Sequence, residues 1–383
     1  MKLIAQEFNI NYQYPVYFID TLFEPGKNHF QTIFDECKIE IGSKFLFVID
    51  SNVHKTNSTL LPTIDMFFSM RPYKLAGKHL IIEGGEASKN DFAVTHKILE
   101  AINAGKLDRH SYIIAIGGGA VLDVVGFAAN IAHRGIRHIR IPTTVLSQND
   151  SGIGVKNGIN YFGKKNFLGT FSVPFFVAND SAFLKTLSDR DYRSGISEAI
   201  KVSLIKDKSF FEYIEANAEK LNQRDNETIK HLIYRCAQLH MQHIAGGDPF
   251  EQGSSRPLDY GHWSAHKLEQ LSDYKILHGE AVVMGMCLDA IYSFKIKLLS
   301  QDEMIRIVTL CKKLGFAVYD KLMVMPDQHY ENFMLKGLQE FREHLGGRLT
   351  IMLIDKIGNG VEVNEIDELL LLQAIENLNA FDK

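Results

Sequence analysis

Cysteine is scarce in this 383-residue chain: Cys37, Cys236, Cys287 and Cys311 stand far apart and show no CxxC spacing. That speaks against a zinc–thiolate cluster or a disulfide framework and for buried thiols in a reducing cytoplasm. Long apolar runs are missing too, and MKLIAQEFNINYQYPVYF lacks the basic-then-apolar order of a secretion signal. An excess of one charge is also absent, 42 Lys+Arg standing against 46 Asp+Glu for a net charge of -4. Nothing electrostatic therefore points to nucleic acid or to an acidic membrane as partner. There is no internal repeat and no low-complexity segment. The expectation is a soluble cytoplasmic protein.

What is present is ample core material, 45% hydrophobic against 23% charged residues, in a chain long enough for two domains. In the first half, strand-like runs alternate with helical ones. KFLFVID (44–50), HLIIE (79–83), YIIAI (112–116), HIRI (138–141) and FFVAND (175–180) read as strands. Helical spacing over 88–104, opened by Ser88 as a plausible N-cap, lies between the second and third. This alternation predicts a parallel sheet covered by helices, with ligands at the carboxyl ends of the strands. The third strand runs into Gly117-Gly118-Gly119 and then a helix. Such a junction either lets a pyrophosphate approach the helix N-terminus or is a tight turn needing positive φ. Asp50 at a strand end can accept from ribose hydroxyls. The segment 142–165 is dense in small and polar residues with interleaved apolar ones, which suggests ordered loops and a short hairpin lining a cleft. Its lysines and Arg134 suit a phosphate-bearing substrate, or are solvated surface charge.

Beyond about residue 180 the periodicity becomes helical, over 189–205, 208–220, 226–245, 262–272, 278–300, 302–314 and 363–378, with one extended run at 348–355. The expected domains are therefore 1–180 and 181–383. Gly261–Met286 holds His262 and His266, four apart and so on one helix face, and His278 at the start of a second helix. Two imidazoles from facing helices make a metal site once a third ligand arrives. Glu198 in SGISEAIK, one turn before Lys201, is the candidate, and Glu plus two His leaves a coordination position open for catalysis. His240 and His243 are read as structural or cleft-lining, without an assigned role.

Taken together, these motifs resemble the sugar phosphate cyclases, the family of 3-dehydroquinate synthase, over about residues 44–355. The resemblance rests on Gly84-Gly85-Glu86 with Lys89, on Gly117–Gly119 with Asp123, and on Arg134-Gly135 with Pro142-Thr143-Thr144. It rests equally on Asp150-Ser151 with Gly154 and Lys156, Gly163–Asn166, Leu184–Leu187, Glu198 with Lys201, and GHxxxH followed by HGEAV at 278–282. It implies an α/β N-terminal domain with a Rossmann-like parallel sheet that binds NAD, and an all-α C-terminal metal-binding domain. The implied metal, zinc or alternatively cobalt, is held by Glu198, His262 and His278. NAD is held by Asp50, Glu86, Lys89, Gly118, Gly119, Asp123, Thr143, Thr144, Phe183 and Thr186. By the same resemblance Asp150, Lys156, Lys165, Asn166, Lys201 and His266 would face a sugar phosphate substrate, and Arg134 would reach its phosphate from the neighbouring subunit of a homodimer. Asp259 is a further catalytic candidate of this chain's own. The implied activity is a carbon–oxygen lyase reaction: oxidation, phosphate elimination, reduction and intramolecular aldol closure to a carbocycle.

The chain departs from dehydroquinate synthases at Asp259, where they carry Asn, at Arg256, one place later than their arginine, and at FREHLGGRLTI (341–351), where they carry a lysine motif. RPLD and EFREHLGG resemble the branch of 2-epi-5-epi-valiolone synthase, which acts on sedoheptulose 7-phosphate, whereas His266 is dehydroquinate-synthase-like. The mixture resembles the dehydroquinate-synthase-like enzymes of Ebo-type gene clusters. Asp259 disfavours a substrate carboxylate beside it, unless Arg256 or Arg342 offsets the charge. A metal-dependent polyol dehydrogenase and a non-catalytic member of the fold are the alternatives of other classes.

Overall fold

The computed structural model describes residues 1–24, 26–90, 92–162, 164–246, 249–250, 258–326, 332–344 and 349–382. They form two compact units, one of Met1–Pro142 with Val155–Asp180, the other of Thr143–Gly154 with Ser181–Lys383. The polar segment 143–154 is thus counted with the second unit, although a single cut at residue 180 assigns it to the first.

The first unit is built on a parallel sheet. Its strands are β1 (Val16–Ile19), β2 (Lys44–Asp50), β3 (Lys74–Leu75), β4 (Leu80–Ile82), β5 (Tyr112–Gly117), β6 (Arg137–Pro142) and β9 (Phe176–Asp180). They run in the order β1-β9-β6-β5-β2-β3, and β4 pairs with β2 beyond β3. β2, β5 and β9 are buried almost throughout, which is why they read as continuous apolar runs rather than as alternating ones. An antiparallel hairpin of β7 (Lys156–Tyr161) and β8 (Lys164–Phe171) is added to the sheet unit. The helices of this unit are α1 (His29–Glu36), α2 (Ser51–Thr56), α3 (Leu60–Ser69), α4 (Phe92–Ala104) and α5 (Gly119–Ile131). α4 starts later than the spacing suggests. Residues Glu86–Lys89 form a separate 3-10 turn, and Ser88 Oγ donates to Gly85 O instead of capping a helix.

The second unit is helical. It holds α6 (Asp189–Ser194), α7 (Ile196–Lys206), α8 (Lys208–Ala216), α9 (Ala218–Asn222), α10 (Asn226–Ile244), α11 (His262–Leu271), α12 (His278–Lys295), α13 (Gln301–Lys313), α14 (Phe333–His344) and α15 (Glu368–Asp382). The hairpin β10 (Ile351–Lys356) and β11 (Asn359–Val363) interrupts the helices, so the segment 363–378 begins as a strand and turns helical only at Glu368. Its core is one cluster of aliphatic and aromatic side chains in which α7 and α12 are central. Every residue from Ile196 to Ile205 is buried, a pattern that forces the polar members of α7 inward. Among the described residues no helix is long and apolar enough to cross a membrane.

Candidate active site

In the first unit the carboxyl ends of the strands gather the residues expected at a nucleotide. Asp50 closes β2, and its Oδ1 accepts from Asn52 N at 2.8 Å. A Cβ at Gly84 would lie 2.1 Å from Asp50 Oδ2, so only glycine fits where the two loops touch. None of Gly117, Gly118 and Gly119 has positive φ, and Gly118 is extended (φ -75°, ψ 175°) as it leads into α5. The tight-turn requirement is therefore not what places glycine there. Lys89 is buried and lies 2.7 Å from Asp123 Oδ2 and 2.5 Å from Asn166 Oδ1. Asn160 joins them, donating to Glu86 Oε1 at 3.1 Å and accepting from Asn166 N at 2.8 Å. One polar network thus unites Glu86, Lys89 and Asp123 with Asn166, whose backbone is left-handed (φ 53°). On the hairpin, Lys156 is exposed and Lys165 half-buried. Arg134 is not brought to these loops. It is exposed on the turn before β6, at the amino end of a parallel sheet.

In the second unit, α7, α11 and α12 bring Glu198, His262 and His278 together, with ligand atoms within 4.8 Å of one another. Glu198 is fully buried. Its Oε1 lies 4.0 Å from His262 Nε2 and 3.9 Å from His278 Nε2. A tetrahedral ion with bonds of ~2.1 Å holds its ligands ~3.4 Å apart, so this triad is slightly more open than a loaded site. The far nitrogens of both rings are already engaged. His262 Nδ1 faces Tyr260 O at 3.2 Å, and His278 Nδ1 faces Glu269 Oε2 at 3.2 Å. Those contacts turn both Nε2 atoms towards Glu198, as outer partners of metal-bound histidines do. Burial, then the charge of Lys201, then the neighbouring rings of His278 and His266 hold His262 well below its ordinary pKa, so it is neutral and able to ligate. Among the described residues Oε1 of Glu198 has no hydrogen-bond partner. Lys201 meets the other oxygen, Oε2, and leaves Oε1 a buried acceptor open to a second cation. The residues present therefore fit a divalent ion.

Two neighbouring groups also bring three ligand atoms together: His266, Glu269 and His278, and Asp150, Glu198 and His240. In the first, the close approach of His278 to Glu269 is an ordinary hydrogen bond. In the second, Lys201 already supplies the cation, its Nζ 2.5 Å from Glu198 Oε2. Burial lowers the pKa of Lys201, but Glu198, Asp150 and Asp259 more than offset this and raise it, keeping the ammonium charged. Asp150 sits on a π turn, Ser147–Ser151, with Oδ1 3.3 Å from Nδ1 of the buried His240. His266 is exposed, its ring stacked on that of His278 with centroids 6.2 Å apart. Asp259 is half-buried, and its carbonyl accepts from His262 N. Thr144 is tied to Ser147, Phe183 is buried, and Thr186 Oγ1 donates to Phe183 O. Arg342 is exposed on α14, whereas Arg256, Gly163 and residues 345–348 lie outside the described residues. Sequence reading missed Glu269 and gave His240 no role. Glu269 had a signal, because it stands seven residues after His262 and three after His266, on the same helix face.

A sheet unit with glycine-rich strand ends and a helical unit with a Glu–His–His triad fit the class of two-domain enzymes that use a nucleotide and a metal. Comparison with known proteins narrows the class. Residues 79–194 match the family model for the 3-dehydroquinate synthase N-terminal region, and residues 195–336 match that for its C-terminal region. The 3-dehydroquinate synthase of Blochmanniella floridana is 32% identical over 316 residues, 82% of this chain and 85% of that protein. Among solved structures, 2-epi-5-epi-valiolone synthase from Streptomyces hygroscopicus subsp. jinggangensis 5008, determined with NAD+ and Zn2+ bound, is similar with a TM-score of 0.86. It is 26% identical and covers 99% of each chain. A probable glycerol dehydrogenase from Sinorhizobium meliloti 1021 shares the fold alone, at a TM-score of 0.57 and 13% identity, covering 96% of this chain and 97% of its own. The chain belongs to the 3-dehydroquinate synthase family. It is a lyase of the 3-dehydroquinate synthase-like sugar phosphate cyclases, and the dehydrogenase likeness goes no further than architecture.

Proposed function

We propose that this cyclase uses NAD and a divalent ion, zinc or cobalt, the ion being held by Glu198, His262 and His278. The observation that carries this is the buried Oε1 of Glu198, unbonded and faced by two Nε2 atoms whose rings are fixed from behind. When bound, the ion would polarise substrate oxygens and NAD would take up and return a hydride. Lys201, kept charged, would offset negative charge developing at the substrate beside it. Lys156 and Lys165 would neutralise the departing phosphate, and Asn166 would donate a hydrogen bond to it. Asp50, Glu86, Lys89, Gly118, Gly119, Asp123, Thr143, Thr144, Phe183 and Thr186 would hold NAD. Asp150 and His266 would face the substrate. Arg134 would serve only from a neighbouring subunit, so a homodimer is part of the proposal. A cytoplasmic location is supported by four free thiols.

Two substrates compete, the acid 3-deoxy-arabino-heptulosonate 7-phosphate and the neutral-headed sedoheptulose 7-phosphate. Asp259 favours the second. It adds negative charge near Lys201, and a substrate carboxylate at that place would meet a like charge. The test is phosphate release from zinc-loaded protein with catalytic NAD and each substrate in turn. Release from the heptulose phosphate alone is expected. Release from the acid would make the enzyme a dehydroquinate synthase that tolerates Asp259, and release from neither would remove both substrates.

A further inference from the structure

We infer that Asp289 is a positioning residue for the metal centre, locking the amino end of α11, which carries His262, onto α12, which carries His278. The inference rests on the metal reading above. Asp289 is 2% exposed, and both of its oxygens are used. Oδ2 accepts from Gly261 N at 3.0 Å and Oδ1 from Trp263 Nε1 at 3.0 Å. These donors are the residues on either side of His262, so one carboxylate grips the chain before and after the ligand. Among the described residues no cation pairs with Asp289, and burial outweighs the bonds from Trp263 and Gly261, so its pKa is pushed up to about 7.

The surrounding backbone permits little other arrangement. Gly261 is left-handed (φ 75°), and a Cβ there would lie 2.7 Å from Met286 N. A Cβ at Gly285 would lie 2.1 Å from Gly261 O, so the start of α11 rests directly on α12. Tyr260 Oη adds a third tie, donating to Met286 O at 3.0 Å. Residues 285, 286 and 289 form one turn of α12, and on that same helix His278 projects towards Glu198. The height of α11 on this turn therefore sets the distance between the two imidazoles. Among the described residues Asp289 is the one side chain that bonds to both flanks of His262.

The test is metal affinity of the apo-protein, together with the visible spectrum of the cobalt form. It compares wild type, Asp289→Ala, Asp289→Asn, Trp263→Phe and Leu268→Ala, the last truncating a core residue of α11 outside the clamp. Asp289→Ala is expected to weaken binding ~10–100-fold, the range seen when outer partners of metal ligands are lost, and to alter the cobalt spectrum. Trp263→Phe removes one of the two bonds and should move both readouts less, in the same direction. Asp289→Asn keeps an acceptor and should recover part of the affinity. Leu268→Ala should lower the melting temperature and leave the cobalt spectrum as in wild type. NAD binding reports that the first unit is intact in each. Wild-type affinity and spectrum in Asp289→Ala would overturn the inference, and Trp263→Phe decides if that variant does not fold. If wild type itself takes up no metal, the metal reading fails first and this inference with it.

Discussion

Glu269 lies behind the proposed ligand His278, and Asp259 adds negative charge near Lys201. Glu269 is buried, and the bond from His278 Nδ1 fixes which nitrogen of that ring faces Glu198. Glu269→Ala is expected to weaken metal binding ~10–100-fold, with Glu269→Gln recovering part of it, as measured by competition with a chromogenic chelator. Unchanged affinity would show that the ring needs no help. Asp259→Asn removes a charge that helps hold Lys201 protonated and that repels acids. It should shift the kcat/KM ratio towards the carboxylate-bearing heptulosonate, and an unaltered ratio would remove the charge argument. The candidate ligands were legible because His262 and His278 open two helical runs close in sequence and Glu198 stands one turn before Lys201 in a third. His240 was not, because a buried histidine near a turn looks the same whether or not an aspartate reaches it from a distant segment, as Asp150 does.

At the scale of elements, the strands of the first unit were readable because burial on both faces writes an unbroken apolar run. β1 was missed: four residues after a polar stretch give no period, and only pairing with β9 defines the strand. The run 189–205 divides at Gly195, where a Cβ would lie 2.3 Å from Leu146 N, a contact invisible in local pattern. Close approach also makes a sign testable. Glycine to alanine inside a helix ordinarily stabilises by ~1 kcal/mol. At Gly285 the added carbon meets the Gly261 carbonyl, so Gly285→Ala should instead lower the melting temperature and weaken metal binding together. A raised melting temperature would mean that α11 can step aside. The start of α8 carries a pH dependence. Asp207 accepts from Phe210 N and from the Arg235 guanidinium. Burial raises its pKa, but bonds from Ser209, Arg235 and Phe210 prevail and lower it below 3.8. A depressed pKa stabilises the fold above the unfolded value and loses that contribution as pH falls through the folded one. Asp207→Asn should therefore cost ~1–3 kcal/mol at neutral pH. The gap in melting temperature from wild type should close as the buffer is taken below 3.8, and a constant gap would exclude an ionic origin.

For the molecule as a whole, the change from alternating to helical periodicity was enough to suggest two units. The return of 143–154 to the second could not be read, since a polar loop carries no mark of the core it joins. What the division implies can be measured. The proposed metal donors Glu198, His262 and His278 all belong to the second unit, whereas Glu86, Lys89 and Asp123 belong to the first. Glu198→Ala should abolish stoichiometric metal while NAD still binds, because the two remaining imidazoles lose the anionic ligand. Lys89→Ala should do the reverse. It removes the ammonium that joins Asp123 to Asn166 and should weaken NAD by about tenfold or more, the usual scale for a charge-assisted bond, with metal content unchanged. Metal analysis and NAD titration on the same preparations separate the effects. Both variants should abolish phosphate release if the reaction needs both groups at once, as proposed. Loss of metal in Lys89→Ala, or of NAD in Glu198→Ala, would mean that these two residues do not serve separate ligands.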